Sequence, residues 1–246
     1  MILVDASSMV AEETLTAVGK NLAAVRAQIE RAALAAGRNV NEIELVAVTK
    51  TVPLDRIAAA YQLGLRHFGE NRVQEGMEKI AGSAALGLTG ARWHLVGHLQ
   101  TNKVKTAVAI FDIIHSIDSV HLAEAVSRRA VAAGRTVPVL LEVNVAGEAS
   151  KFGFSPGELP AALEEISKMP ALQLDGLMTV APLARDPEEA RPVFRRLRAL
   201  RDELRQSYNL PYFRHLSMGM TDDYPVAIQE GATMVRLGRA IFGERG

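Results

Sequence analysis

The sequence contains no cysteine and has no excess of charge of either sign. Without thiols the chain cannot form a disulfide, a thiolate zinc site or a cysteine nucleophile. The 28 basic and 28 acidic side chains cancel, so nothing in the charge balance attracts nucleic acid or an anionic membrane. No apolar run is long enough to cross a bilayer, and residues 1–5 lack the basic region of a signal peptide. We therefore expect a cytoplasmic protein that binds neither nucleic acid nor membrane.

Short apolar runs alternate with helical patterns along the 246 residues. The runs predict eight strands, at 43–49, 66–70, 92–96, 113–117, 137–145, 174–180, 212–218 and 233–237. Period-3.6 patterns predict helices at 54–63, 120–133, 158–169 and 188–206, with Pro192 causing a kink or a later start in the last of these. A long helix at 15–36 precedes the first strand and should end at Gly37.

Eight strands with intervening helices indicate a parallel sheet, because parallel neighbours need a crossover connection. The length suits a single (β/α)8 TIM barrel comprising residues 1–246, with the 15–36 helix as an addition to it. A closed barrel leaves no free sheet edge, which favours a monomer. The alternative is a doubly wound open sheet, but its glycine-rich first turn is missing from residues 49–53.

Lys50 stands at the carboxyl end of the first predicted strand, where catalytic and binding residues of such barrels lie. Burial of an unpaired ammonium would lower its pKa, and a neutral lysine can attack a carbonyl to form a Schiff base. A lysine that extends to solvent, or that pairs with a carboxylate, is the structural alternative.

The ends of the last two strands indicate a phosphate site. Gly219 and Gly238 lack a Cβ and so allow close approach to backbone N–H groups, and Ser217 adds a hydroxyl donor. Each loop leads into a helical segment whose positive end can face an anion. Loops seven and eight are also where barrels of this kind often bind phosphate.

A Schiff-base lysine combined with a phosphate site suggests a phosphorylated aldehyde, either pyridoxal 5′-phosphate (PLP) or a phosphosugar. Arg236 at the end of the eighth strand favours PLP. An arginine facing the pyridine nitrogen would keep that nitrogen unprotonated, because both would otherwise be donors. An arginine in a rim salt bridge remains the alternative.

Other side chains give weaker signals. His94 and His98 are four residues apart but at a strand end, so the spacing does not predict a metal site. Glu70 and Glu142 lie near the ends of predicted strands, and we expect Glu142 to point outward or to pair locally. The arginine-rich segment 185–205 also carries acidic residues and is interpreted as a solvated helix face with ion pairs.

Seven motifs in the same order resemble those of the pyridoxal phosphate homeostasis proteins. They lie at residues 47–51, 68–75, 93–103, 150–153, 176–179, 216–220 and 235–243. The resemblance implies a barrel of the alanine racemase N-terminal-domain type with PLP on Lys50. It also implies phosphate contacts at Ser217, Met218, Gly238 and Arg239, with Arg236 near the pyridine nitrogen and Asn71 near the ring substituents.

The same resemblance implies storage or delivery of intracellular PLP, with little or no catalysis and with transient contacts to PLP-dependent apoenzymes. Related racemases add a C-terminal β-domain that supplies a second acid–base residue, and this chain ends at Gly246. A lysine in the 150–153 loop is part of the family pattern, which draws attention to Lys151. Val52 stands where the family often has a second lysine. A PLP-dependent amino-acid racemase and a phosphosugar aldolase are the alternatives.

Overall fold

The computed structural model describes residues 10–244, so the predicted domain of residues 1–246 extends beyond the described part at both ends. Within it, eight parallel strands form a closed barrel in which neighbours in sequence pair and the first strand pairs with the eighth. The predicted (β/α)8 barrel is confirmed. The strands are β1 Glu44–Val48, β2 His67–Glu70, β3 Arg92–Leu95, β4 Ile113–Ile117, β5 Val137–Glu142, β6 Leu172–Met178, β7 His215–Ser217 and β8 Met234–Leu237.

Helices pack around the barrel, and short 3₁₀ turns occur at Val40–Glu42, Thr101–Lys103 and Pro187–Ala190. The α-helices are α1 Glu12–Ala35, α2 Leu54–Gln62, α3 Val73–Ala85, α4 Val104–Ile110, α5 Val120–Ala132, α6 Leu159–Ile166, α7 Arg191–Ser207, α8 Tyr224–Gln229 and α9 Arg239–Phe242. None of the helices in residues 10–244 has the length and apolar character needed to cross a bilayer.

Helix α1 is the predicted additional helix. Its buried side chains recur every three or four residues, as in Val18, Leu22, Val25 and Ile29, and this stripe faces α2, α8 and α9. The helix ends where the sequence predicts, because Gly37 takes a left-handed φ of 64°. Helix α1 thus joins the first and the last helices of the barrel.

Several predicted elements differ from the structure at their ends, including β6, which was predicted at 174–180 and lies at Leu172–Met178. Three of these differences have a local explanation. Strand β5 stops at Glu142 rather than 145, because the backbone at Asn144 donates to the Phe154 carbonyl in the following loop. Strand β7 starts at His215 rather than 212, because residues 210–214 form tight turns. Helix α7 begins at Arg191, with Pro192 in its first turn, which confirms the predicted later start.

The arginine-rich helix α7 carries ion pairs, as predicted. Glu230 is almost fully buried beside it, and Arg191 and Arg195 each lie 2.9 Å from its carboxylate. These guanidinium groups are bound to acidic partners, which supports their interpretation as a structural face.

The barrel interior contains both apolar and polar side chains. Val46, Leu140, Met178 and Met234 form a small apolar cluster separate from the main core, which lies between strands and helices. Buried polar side chains occupy other interior positions, in the order His94, His115, Ser217 and Arg236. This polar row leads toward the carboxyl ends of the strands.

Candidate functional site

A cavity of about 500 Å³ opens at the carboxyl ends of the barrel strands. Its volume lies within the range of about 300–1,000 Å³ that is usual for small-molecule sites. Five of the predicted site residues line it, namely Lys50, Asn71, Arg236, Gly238 and Arg239. The other two, Ser217 and Met218, are fully buried and do not line it.

Lys50 lies two residues beyond the end of β1, and its half-buried side chain lines the cavity. Within residues 10–244, no hydrogen bond or ion pair engages its amine. The structure therefore does not support the alternative in which Lys50 pairs with a carboxylate. An amine without a counter-charge in a cavity is available to react with a ligand carbonyl.

A buried ion pair supports the backbone just before Lys50. Lys79 on α3 lies 2.9 Å from Glu70, whose side chain is fully buried at the end of β2. Lys79 also donates to the Thr49 carbonyl, and the Thr49 hydroxyl donates to the same carboxylate oxygen of Glu70. Burial raises the pKa of Glu70, and the hydrogen bonds from Thr49 and Lys79 oppose that rise. Residue 49 is therefore fixed through both its carbonyl and its side chain.

Helix α3 also holds Thr51, the residue after Lys50. The Thr51 N–H donates to Glu75 Oε1 at 2.6 Å, and that oxygen lies 2.5 Å from Lys79 Nζ. Thr51 has a φ of 61°, an unusual conformation for a β-branched residue. The backbone on each side of Lys50 is thus anchored to α3, which limits where its amine can reach.

Asn71 reaches the cavity because Gly97 leaves room for its backbone. A Cβ at position 97 would lie 2.3 Å from the Asn71 carbonyl oxygen, closer than atoms can approach. In the described part of the chain no protein group hydrogen-bonds the Asn71 side chain. Its amide can therefore bind a polar substituent of a ligand.

The two loops predicted to bind phosphate present backbone N–H groups to the cavity, but not the Ser217 hydroxyl that the sequence also suggested. Gly238 and Arg239 line the cavity, and their backbone N–H groups donate to no protein acceptor in residues 10–244. Helices α8 and α9 are only six and four residues long, so helix dipoles contribute little. Gly219 has the left-handed φ, 93°, that its loop requires. The Ser217 hydroxyl faces the barrel interior instead, where it contacts Arg236 and His115.

The Arg236 side chain lies between the barrel interior and the cavity, and it is only 4% exposed. It donates to Ser217 Oγ at 2.7 Å and to the Thr179 carbonyl at 2.9 Å. No carboxylate lies within ion-pair distance of it among the described residues, which excludes the predicted alternative of a rim salt bridge. Burial lowers the pKa of Arg236 to about 10, although Glu142 and Asp223 act in the opposite direction. The guanidinium is thus held in place by neutral partners.

Glu142 was expected to point outward or to pair locally, and that expectation is wrong. The carboxyl group lines the cavity that contains Lys50, because inward-facing positions continue to the last residue of β5. Burial, together with the charge of Asp118, raises the pKa of Glu142 to about 7, against the influence of Arg236 and Lys151. A carboxyl group that is half ionised near neutral pH is suited to proton transfer.

Glu142→Gln should stabilise the protein at pH 8 by about 1–3 kcal/mol and have little effect at pH 5. The folded-state pKa of about 7 exceeds the ordinary value of 4.5, so the stability linked to protonated Glu142 is lost as pH rises through 7. Urea unfolding of both proteins at pH 5 and pH 8 measures the difference. The exposed Glu164→Gln is the matched control, and an equal effect of Glu142→Gln at both pH values would contradict the prediction.

The cavity rim carries a stacked aromatic pair that the sequence did not predict. Phe152 stacks on His98 with ring centroids 3.8 Å apart, although half of its surface remains exposed. His98 Nδ1 lies 3.0 Å from Asp118. Lys151, to which the family pattern drew attention, also lines the cavity, whereas Val52 packs against the main core. The strand-end position of His98 was a usable signal, but nothing in the sequence placed Phe152 above it.

Residues 20–246 match the family model of the alanine racemase N-terminal domain. Two curated relatives are similar over nearly their whole length and are named pyridoxal phosphate homeostasis protein. The one from Aquifex aeolicus is 44% identical over 92% of this chain and 97% of its own, and the one from Escherichia coli K12 is 40% identical over 93% and 97%.

Solved structures agree with this assignment. PipY of Synechococcus elongatus, solved with PLP bound, is 38% identical and superposes with a TM-score of 0.82 over 92% of this chain and all of its own. Alanine racemase of Clostridium difficile is 16% identical, with a TM-score of 0.71 over 94% of this chain and 56% of its own, and so shares the fold alone. The resemblance seen in the sequence motifs is confirmed: the chain belongs to the pyridoxal phosphate homeostasis protein family, whose barrel is that of the alanine racemase N-terminal domain.

Proposed function

We propose that this protein binds PLP as a Schiff base on Lys50 and takes part in intracellular PLP homeostasis by storing or delivering the cofactor. The observation that carries the proposal is the half-buried Lys50 amine, which has no partner among the described residues of its cavity. The names of the relatives and the PLP-bound PipY structure point to the same cofactor.

The other wall groups are suited to the rest of PLP. The unbonded backbone N–H groups of Gly238 and Arg239 would receive the phosphate, with Ser217 and Met218 shaping the loop behind them. Asn71 would face the ring substituents. Arg236, a permanent donor, would face the pyridine nitrogen and keep it unprotonated.

Borohydride reduction of the protein saturated with PLP should place a pyridoxyl phosphate adduct on Lys50. Peptide mass spectrometry locates the adduct, and the peptides containing Lys79 and Lys151 serve as internal controls. Lys50→Ala should remove the adduct and the visible absorption of the bound cofactor. An unmodified Lys50 in the presence of excess PLP would refute the proposal.

Arg236 is the reason for proposing a carrier with little or no catalysis. Much PLP chemistry depends on a protonated pyridine ring that withdraws electrons, and an arginine at that nitrogen weakens this effect. We further propose that the protein acts in the cytoplasm as a monomer, because a closed barrel leaves no free sheet edge. PLP transfer would then occur through transient contacts between the open cavity and PLP-dependent apoenzymes.

Glu142 favours a second candidate function, that of a PLP-dependent amino-acid racemase. Its pKa of about 7 and its position in the Lys50 cavity would allow it to move a proton at a bound amino acid. Incubation with L-alanine in D₂O distinguishes the two functions. Formation of D-alanine carrying deuterium at Cα over many turnovers, abolished by Glu142→Gln, would establish the racemase.

A further inference from the structure

Three inward-facing side chains meet at the amino end of the barrel, opposite the cavity. Glu44, His67 and His94 come from β1, β2 and β3. In the sheet register, His67 pairs with Val46, which lies two residues after Glu44. In the same way His94 pairs with Gly69, which lies two residues after His67. Because strands in a barrel are tilted, this diagonal step brings equivalent interior positions to a similar height.

The separations of their ligand atoms suit a tetrahedral metal ion. His67 Nδ1 lies 3.0 Å from His94 Nε2 and 3.4 Å from Glu44 Oε2, and all three atoms lie within 4.8 Å of one another. Zinc bonds to imidazole nitrogen and carboxylate oxygen are about 2.0–2.2 Å long, so adjacent ligand atoms in a tetrahedral site are about 3.3 Å apart. The two separations that involve His67 already fit, and the Glu44–His94 separation, at most 4.8 Å, would have to approach about 3.3 Å for all three atoms to surround one ion.

The Glu44 carboxylate contacts the His67 ring at ion-pair distance, 3.4 Å, but without the geometry of a hydrogen bond. Glu44 Oε2 is buried and accepts no hydrogen bond among the described residues. The His94 side chain is fully buried, whereas His67 and Glu44 line a surface pocket at this end of the barrel. An ion could therefore enter from solvent, and water could complete its coordination.

A second histidine orients the buried one. His94 Nδ1 lies 2.9 Å from His115 Nε2, and His115 Nδ1 lies 2.9 Å from Ser217 Oγ. Metal-binding histidines usually donate their other ring N–H to an acceptor, which fixes the tautomer that directs the free nitrogen to the ion. The His94 Nδ1–H to His115 Nε2 bond would do this, and His94 Nε2, now at hydrogen-bond distance from His67 Nδ1, would exchange that contact for the ion.

We propose that Glu44 Oε2, His67 Nδ1 and His94 Nε2 form a binding site for a divalent transition-metal ion such as zinc, with water as a further ligand. Two imidazoles and one carboxylate are a donor set that zinc accepts in proteins. The proposal concerns the end of the barrel opposite Lys50 and does not depend on PLP binding.

The test is metal binding by the full-length protein after dialysis against a chelator. Equilibrium dialysis with Zn²⁺ should give one bound ion per chain, and Co²⁺ should give the visible absorption of a four-coordinate ion. The partly exposed His67→Ala and the near-isosteric Glu44→Gln should each weaken Zn²⁺ binding at least about tenfold. Circular dichroism and urea unfolding check that these variants remain folded.

His121→Ala is the matched control, because His121 is exposed on α5 and belongs to no metal-ligating cluster within residues 10–244. It should leave Zn²⁺ affinity and the Co²⁺ spectrum unchanged. Zn²⁺ should also raise the Tm of the parent protein and of the control but not of the two cluster variants. Binding below one equivalent, or an affinity unaffected by both His67→Ala and Glu44→Gln, would overturn the proposal.

Discussion

Lys79→Met should lower the free energy of unfolding by about 3–5 kcal/mol, because it leaves a fully buried carboxylate without its cation. Glu70 has no exposed side-chain surface, and Lys79 is its ion-pair partner at 2.9 Å. The Thr49 hydroxyl would remain as a donor to Glu70, but one neutral donor does not replace an ammonium. Urea unfolding monitored by circular dichroism measures the loss.

The pH dependence of that loss identifies its cause. Burial already raises the pKa of Glu70, and removing Lys79 removes two of the interactions that oppose the rise. A carboxyl group with a raised folded-state pKa loses stability as pH increases, so the Lys79→Met deficit should be larger at pH 8 than at pH 5. Adding Glu70→Gln to Lys79→Met should recover part of the stability, since it removes the uncompensated charge.

Lys168→Met is the matched control for this prediction. Lys168 pairs with Glu164 at 3.0 Å on an exposed helix face, where such pairs contribute only about 0.5 kcal/mol. The prediction fails if Lys79→Met costs no more than Lys168→Met, or if the double variant is as unstable as Lys79→Met alone. Because Lys79 also holds residues 49 and 51, Lys79→Met should additionally slow PLP capture by Lys50.

Strand-end positions were the part of the site that the sequence could predict. Lys50, Asn71 and Arg236 each follow or end an apolar run, and closure of a parallel barrel brings the ends of such runs around one cavity. The pattern needed no knowledge of side-chain contacts. The same reasoning predicted all eight strands, because the apolar runs and their spacing carry that information.

The sequence could not predict which side chains from different strands become neighbours inside the barrel. Glu142 faces the cavity because of the register of β5, and a one-residue shift in register would have turned it outward. Ser217 lies beside Arg236 and His115 through contacts between β7, β8 and β4 that no local pattern encodes. Glu44 and His67 are 23 residues apart in sequence and become neighbours only through the diagonal stagger of the barrel.

Arg236→Met should weaken PLP binding at least tenfold while leaving the stability of the PLP-free protein unchanged or higher by up to about 2 kcal/mol. Burial lowers the pKa of Arg236 to about 10, which means that the folded protein disfavours this cation relative to water. A methionine of similar length avoids that desolvation. The Thr179 carbonyl would lose its donor from Arg236, at a cost of about 1 kcal/mol that limits the gain.

The affinity for PLP should fall in Arg236→Met, although stability does not, because the cofactor is anionic and accepts hydrogen bonds. A hydrogen bond involving a charged group contributes about 1.5–3 kcal/mol, and 1.4 kcal/mol corresponds to a factor of ten in affinity. Equilibrium dialysis with PLP measures the affinity, and urea unfolding without PLP measures the stability. Arg195→Met, which alters an exposed arginine paired with Glu230, should leave PLP affinity unchanged.

The opposite signs of the two effects separate a ligand-binding arginine from a structural one. A structural arginine would lose stability on replacement and would affect PLP only through unfolding, so both quantities would fall together. An arginine retained for its ligand lowers the stability of the ligand-free protein and recovers that free energy when the anion binds. If Arg236→Met instead destabilises the PLP-free protein by several kcal/mol, the Ser217 and Thr179 contacts are structural, and the role proposed for Arg236 at the pyridine nitrogen loses its support.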